Sequence, residues 1–333
     1  MKESKNSTIY DVAADAGVSP ATVSRVINQT ASVAESTRVK VLASMERLNF
    51  VQKKAEPIKG SAIKYVVVCI PTTASSFHES MIKSIRNAIK TAGYSCLLLM
   101  ETFTQEIMER EKALLQSPQI AGFITITEIS SDVLTQLDKI IPVVTCDCSP
   151  SDAISSVAIN NMQAAEVAVD HLFSAGRKKI AFLSAPLTYP FLLERLDGYK
   201  QSLKKHTVEF DPSLVMESTA FDLNSAYSAA IQLLQRQDRP DAIFACSDIF
   251  ASAIIRAAYA NGLQIPRDLM VIGFDNNDTS ALTVPALTTI SSPCQSMGVI
   301  AVDMLIEKIK SISAPVRHIL LDTELIVRES TRC

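Results

Sequence analysis

Residues 8–28 read Thr-Ile-Tyr-Asp-Val-Ala-Ala-Asp-Ala-Gly-Val-Ser-Pro-Ala-Thr-Val-Ser-Arg-Val-Ile-Asn. Two short helical patterns stand on either side of a glycine turn. Thr8 is a candidate cap for the first, in which Ile9, Val12, Ala13 and Ala16 recur at helical spacing. Gly17 ends that helix by tolerating positive φ. Ser19 caps the second, Pro20 occupies its first turn, and Val23, Val26 and Ile27 form its buried stripe. Two helices joined by about 3–4 residues with a glycine make a helix-turn-helix, whose second helix enters the DNA major groove. The residues expected to face outward are Ala21, Thr22, Ser24, Arg25 and Asn28, all able to reach base edges or phosphates. Spacing alone also fits an ordinary helical hairpin with a solvated polar face.

The full string resembles the DNA-binding headpiece of the lactose-repressor (LacI/GalR) family of bacterial transcription regulators. The matching residues are Tyr10-Asp11-Val12-Ala13, Ala16-Gly17-Val18-Ser19, and Ala21-Thr22-Val23-Ser24-Arg25-Val26 with Asn28. The similarity runs on through Thr37-Arg38 and Val41 to Leu48-Asn49-Phe50, where a third helix is expected to close the bundle. The DNA-contacting set it implies is Thr8, Tyr10, Ser19, Pro20, Ala21, Thr22, Ser24, Arg25 and Asn28. Ala34 stands where the family usually places a serine cap for the third helix.

A chain of 333 residues exceeds what one hydrophobic core usually serves, so two or three domains are expected. No apolar run reaches the ~18 residues of a membrane span, and Met-Lys-Glu-Ser-Lys-Asn is no secretory signal. The expectation is a cytoplasmic protein with no membrane partner. The seven cysteines sit mostly in apolar strand-like runs, as Cys69, Cys96, Cys146 and Cys246 do, which suits reduced, buried thiols. Cys146 and Cys148 form only a C-x-C pair, so no metal site is expected. The net charge of −3 is divided unevenly. Residues 1–60 carry nine Lys/Arg against six Asp/Glu, and the remainder carries 23 against 29. A basic module tethered to an acidic body suits a partner with phosphates.

Periodicity fails between Phe50 and Lys64, where Pro57 and Gly60-Ser61 interrupt a charged stretch, so residues 53–63 read as a linker. In the resembling family this segment forms a short hinge helix on DNA, with an apolar residue wedged into the minor groove. Ala55-x-x-Ile58 makes Ile58 that residue. The family's Pro-Asn after the aromatic position is absent, and Pro57 falls inside the hinge, where proline removes a donor and clashes. A weak hinge is expected.

From Tyr65 onward, β-branched runs alternate with amphipathic helices. Expected strands are 65–70, 96–100, 122–126, 143–145, 179–183, 242–245 and 269–273; expected helices are 78–92, 105–115, 161–175, 191–204, 223–234 and 249–261. Such alternation indicates parallel sheets covered on both faces. A change near residues 150–160 suggests two sheets in succession, although no internal sequence repeat supports a duplication. The resemblance implies a periplasmic-binding-protein-like effector domain over 64–333, following a headpiece over 1–52. It also implies a late crossover near 285–292 and a helix over 295–309 covering the N-terminal subdomain. The expected fold is therefore an N-terminal all-α helix-turn-helix headpiece plus an α/β effector domain of two parallel-sheet subdomains.

No enzyme signature is present. Glycines form neither a dinucleotide fingerprint nor a phosphate loop, and the four histidines keep no metal spacing. His171, beside Leu172 and Phe173, reads as a packed or surface residue. Polar residues gather instead after strands, where open α/β sheets bind small ligands: Asp147, Ser247 with Asp248, and Asp275. Carboxylates and hydroxyls there suit a hydroxyl-rich ligand such as a sugar, with Asp248 the one expected to cap the following helix. By resemblance, Arg195-x-x-Gly198-Tyr199 supplies a ligand-gripping arginine. Phe221 and Phe77 fall where the family often has aromatic platforms, although either fits a core equally well. Ser247 replaces a more usual asparagine.

These features point to a DNA-binding transcriptional regulator, a repressor, binding a near-palindromic operator as a homodimer under control of a carbohydrate effector, without a cofactor. One alternative keeps the fold but makes a phosphocarrier protein the co-regulator, as in catabolite-control regulators. A more distant one is a solute-binding protein or an enzyme.

Overall fold

The computed structural model describes residues 8–28, 33–48, 50, 63–72, 76–149, 151–311 and 314–332. Its first elements are α1 (Ile9–Ala16), α2 (Pro20–Asn28) and α3 (Glu35–Arg47). Thr8 caps α1 reciprocally: its hydroxyl accepts from the Asp11 amide at 3.3 Å, and the Asp11 carboxylate accepts from the Thr8 amide at 2.7 Å. Gly17 takes φ 66°, which lets the chain reverse while its amide bonds back to α1. The Ser19 hydroxyl then accepts from the Thr22 amide at 3.2 Å and starts α2. Ile9, Val12, Ala13, Val23, Val26 and Val41 form the core of this bundle. The Ser44 hydroxyl donates to the Val12 carbonyl at 3.1 Å, and Arg47 pairs with Asp15 at 2.6 Å, so α3 is tied to α1 at two points.

The rest of the described chain alternates strands and helices. It runs β1 (Tyr65–Ile70), α4 (Ser76–Thr91), β2 (Ser95–Met100), α5 (Gln105–Arg110), α6 (Lys112–Leu115), β3 (Ile120–Thr125), α7 (Ser131–Asp138), β4 (Val143–Cys146) and β5 (Ser155–Ile159). Next come α8 (Asn161–Ser174), β6 (Ile180–Ser184), α9 (Pro190–Lys205), β7 (Val215–Glu217), α10 (Leu223–Leu234), β8 (Ala242–Ala245) and α11 (Asp248–Ala260). The last are β9 (Met270–Asp275), α12 (Asp278–Leu282), β10 (Thr288–Ser291), α13 (Cys294–Lys310), β11 (His318–Leu321) and β12 (Glu324–Ile326).

Two six-stranded sheets result, with strand orders β2-β1-β3-β4-β5-β11 and β7-β6-β8-β9-β10-β12. The two orders are the same. Each sheet builds outward in both directions from its first strand, and each takes its sixth strand from the end of the chain. The internal symmetry that no sequence repeat betrays is therefore present in the topology. Apart from β12, which runs antiparallel to β10, the pairings described in the second sheet are parallel.

The chain divides into two compact units, Met1–Val157 with Pro293–Leu321 and Ala158–Ser292 with Asp322–Cys333. In the first unit, α13 packs along α4, β3 and β4. A Cβ on Gly298 would strike Ser84, and one on Gly122 would strike Leu305, so both glycines allow close approach. In the second unit the rings of Phe182 and Phe244 stack at 5.2 Å, and Tyr199 stacks on Phe182 while its hydroxyl donates to the Ile180 carbonyl at 2.9 Å.

Several elements depart from the expectations. The helix expected over 105–115 breaks at Glu111 into α5 and α6. Strands β5, β7, β11 and β12 and helices α7 and α12 were not foreseen. They are short, and sheet pairing or packing, rather than a long hydrophobic period, selects them. Among the described residues, no helix is long and apolar enough to cross a membrane.

The N-cap of α3 is Ala34, which offers no side-chain bond. Ala34→Ser should satisfy one orphan amide and stabilise the bundle by about 1 kcal/mol. Amide exchange at the buried positions of α1 and α3 should slow by about fivefold in the full chain, while exchange in the two sheets stays unchanged.

Candidate nucleic-acid interface and effector site

Helix α2 leaves Arg25 and Thr22 half-buried and Ser19 exposed, with Pro20 in its first turn. The Thr22 hydroxyl lies 2.9 Å from the Ser19 hydroxyl, so both take part in the local cap. Thr8 is exposed and serves as the cap of α1. Ser24 departs from the outward position expected of it: it is only 3 % exposed. Successive helical residues turn by about 100°, which sets Ser24 beside the Val23 and Ile27 stripe, while Arg25 falls on the opposite side. The expectations for Tyr10, Ala21 and Asn28 concern side chains outside the described set, and Ile58 lies outside the described residues.

In the second unit, Arg195 projects from α9 and is 5 % exposed. Its Nε donates to Asn161 Oδ1 at 3.0 Å, and Nη1 donates to the Cys246 carbonyl at 2.5 Å. The guanidinium carbon lies 3.4 Å from the centre of the Phe274 ring and 5.0 Å from that of Phe191. Three elements thus converge on one cation: the start of α8, the end of β8 and the end of β9. Gly198 explains the spacing of the motif. A Cβ there would collide with the Met162 carbonyl, so only glycine lets α9 lie this close to α8.

Asp275 directly follows Phe274 and takes φ 108°, with Asn276 at φ 54°. Two consecutive non-glycine residues in the left-handed region form an unusual turn at the strand end. Phe221 is 37 % exposed and meets Tyr189 and Phe250 edge-on at 6.1 and 5.3 Å, leaving a partly open aromatic cluster. The Ser247 hydroxyl accepts from the Phe250 amide at 3.4 Å and is the N-cap of α11.

Ser247 therefore takes the capping role expected of Asp248. Asp248 is the first residue of α11 and is fully buried. Its carboxylate accepts from Thr289 Oγ1 at 2.5 Å and from the Asn277 amide at 2.9 Å. Sequence reasoning missed this because Thr289 and Asn277 reach Asp248 only through sheet pairing. Burial pushes the Asp248 carboxyl up to about 7, opposed by those two bonds and by the charge of Arg328.

In the first unit, Asp147 ends β4 at φ 62°, with its amide donating to the Val157 carbonyl at 2.8 Å. Phe77 is packed at 8 % exposure in the first turn of α4, and burial lowers its neighbour His78 to about 4. Cys146 and Cys148 are buried; Cys146 Sγ faces Met81 Sδ at 3.6 Å, and Cys148 Sγ is within 3.4 Å of the Cys146 and Thr127 carbonyls. Burial raises both thiols far above their ordinary range, which makes them poor nucleophiles. His171 pairs with Thr331 Oγ1 at 2.9 Å.

Comparison with known proteins matches two parts of the chain to known domain families. Residues 8–52 match the model for bacterial regulatory proteins of the lacI family, and residues 169–331 match the periplasmic binding protein-like domain. The chain is 31 % identical to the HTH-type transcriptional repressor PurR of Photobacterium profundum, over 98 % of each chain. It is 31 % identical to the regulator DegA of Bacillus subtilis, over 97 % of this chain and 98 % of that one. Among solved structures, the lac repressor dimer bound to operator and the anti-inducer ONPF aligns with TM-score 0.73 and 26 % identity, over 99 % of this chain and all of that one. A complex of the regulator CelR with cellobiose aligns with TM-score 0.72 and 27 % identity, over 98 % of this chain and all of that one. The chain belongs to the lactose-repressor family and is a DNA-binding transcriptional regulator.

Asp248 allows a test of the site by pH. Its carboxyl titrates near 7 in the folded chain and near 3.8 when unperturbed, so between about pH 4 and 7 the folded state holds a proton that the unfolded chain has lost. The contribution of Asp248 to stability is complete below that window and falls as pH rises through it. Asp248→Asn keeps the shape but cannot titrate. Its melting temperature relative to wild type should rise steadily from pH 4 to 7 and level off above that. A pH-independent difference would place the titration elsewhere.

Proposed function

We propose that this regulator is a repressor that binds a two-fold operator as a homodimer and responds to a small hydroxyl-rich ligand, a sugar or sugar derivative. The organisation proposed is a DNA-binding headpiece over 1–52, a hinge over 53–63 and an effector and dimerisation domain over 64–333. The observation that carries the ligand reading is the set of groups at the strand ends of the second unit. Arg195 is preorganised between ring faces, Asp275 sits in a left-handed turn, and Phe221 contributes an accessible apolar face. A cation with directed donors, a carboxylate and a ring face are what polyhydroxylated rings engage: donors and acceptors pair with hydroxyls, and the C–H face of the sugar packs on the aromatic. Asp147 and Ser247 are the further polar candidates, and Phe77 is assigned to packing. The cellobiose in the CelR complex supports the same class of ligand.

On the DNA side, Arg25 is proposed to read a base edge or an adjacent phosphate. Thr8, Tyr10, Ser19 and Thr22 would position the headpiece on the backbone, Pro20 and Ala21 would make apolar contact, and Asn28 would lie on the same face. Ile58 remains the proposed minor-groove wedge. One headpiece covers one half-site, so two-fold pairing of chains follows from a two-fold operator. DNA and effector then alter each other's affinity through one coupling free energy.

Two measurements test this reading. On an operator obtained by in vitro selection, Arg25→Ala should lose about 1–3 kcal/mol of binding and relax the preference at one base pair of each half-site. Unchanged affinity and preference would remove Arg25 from the interface. In a thermal-shift series with cellobiose, ribose and related sugars, a true effector should raise the melting temperature of the wild type. Arg195→Ala should abolish that rise while keeping the far-ultraviolet circular dichroism of the folded chain. A variant that loses its fold would make Arg195 structural instead.

A further inference from the structure

The left-handed turn at Asp275–Asn276 has no glycine to make it cheap, so the surrounding structure must hold it. The holding groups come from three separate parts of the second unit. From the segment after β12, Arg328 donates through Nη2 to Asn276 Oδ1 at 2.7 Å. Its Nη1 donates to the Leu287 carbonyl at 2.7 Å and to the Ser280 hydroxyl at 3.0 Å. From β10, the Ser291 hydroxyl accepts from Asn276 Nδ2 at 3.1 Å, and Thr289 Oγ1 accepts from the Asn276 amide at 3.4 Å. From α11, the Asp248 carboxylate takes the next amide, that of Asn277. Each polar atom of the Asn276 side chain is bound, and its amide and the one after it are both bound. Asp248 also lies directly against Gly273 in β9, where a Cβ would meet its oxygen, so the carboxylate is keyed into the same strand that carries Asp275.

None of these groups is among the residues proposed to contact the effector. We propose that Arg328, together with Thr289 and Asp248, is a positioning residue for effector recognition: it clamps Asn276 in the left-handed region and so presents the Asp275 carboxylate. This rests on the reading of Asp275 as an effector contact. Because Nη1 is fixed at the Leu287 carbonyl and the Ser280 hydroxyl, the planar guanidinium aims its Nη2 bond to Asn276 in a set direction that a mobile point charge would not supply. The clamp also gives a role to the last strand crossing. Residues 322–333 return to the second unit and bring Arg328 to the strand end, so the tail of the chain completes a site whose contacts lie far earlier in the sequence.

The test uses the full chain in three forms: wild type, Arg328→Met, and Arg328→Met combined with Asn276→Gly. Glycine adopts positive φ without help, so it should restore a turn that has lost its clamp. Amide exchange read by mass spectrometry should speed up by about tenfold or more at Asn276 and Asn277 in Arg328→Met, with β6 and β8 unchanged. The double variant should bring exchange back toward wild type. Unchanged exchange at the turn, or faster exchange throughout the second unit without rescue, would overturn the clamp, and this arm needs no ligand. Thermal shift with cellobiose and ribose supplies the second arm for whichever of the two stabilises the wild type. Weakened response in Arg328→Met, recovered in the double variant, supports the positioning role. Full response in Arg328→Met despite a loosened turn overturns it. If Asp275→Ala also responds fully, the error lies instead in the assignment of Asp275 as a contact.

Discussion

A buried guanidinium organises the strand ends of the second unit. Arg195 is almost wholly removed from water, and removing a cation from water is costly unless its donors are met. The cost is offset by the Asn161 amide oxygen, the Cys246 carbonyl and the face of Phe274. Each of those groups belongs to a different element, so satisfying one side chain sets the mutual placement of α8, β8, β9 and α9. The close α8–α9 approach at Gly198 and the stacked rings of Phe182, Tyr199 and Phe244 follow the same geometry. A shift of any of these elements would leave a buried donor unpaired, at about 1–3 kcal/mol or more for a charged group.

The headpiece is governed by a different balance. Among the described residues its core is built on Ile9, Val12, Ala13, Val23, Val26 and Val41, and local devices at the helix ends add to that small core. The Thr8–Asp11 capping box, the left-handed Gly17 and the Ser19 cap each fix a helix end. The start of α3 at Ala34 has no side-chain cap. In so small a module each helix cap contributes on the order of 1 kcal/mol.

The two sheets share one strand order, and a polar residue stands at the end of the corresponding strand in each. In each sheet the first strand lies between its second and third, which creates a switch point where connections leave in opposite directions. Asp147 follows β4 of one sheet, and Asp275 ends β9 of the other; these strands hold the same place in their sheets, and both residues take positive φ. The likeness lies in backbone and place rather than in the surrounding sequence. The sequence therefore carries no visible repeat.

Elements carried by long periodic patterns were legible from the residues themselves. The capped helix pair, the strands 65–70 and 242–245, and the helix 223–234 have bounds that local chemistry determines, because each buries a stripe or run that its own sequence spells out. Arg195 and Asp275 were legible as candidates through the motif and the strand-end position. The fate of Ser24 was not, since a residue on the flank of a helix is exposed or buried according to what packs beside it. Nor was the exchange of roles between Ser247 and Asp248, or the clamp formed by Arg328. Those depend on partners 41 and 52 residues away along the chain, brought close only when β10 pairs with β9 and the tail returns to the same unit. Short-range periodicity carries no information about such distant pairings, so burial and sheet register alone assign them.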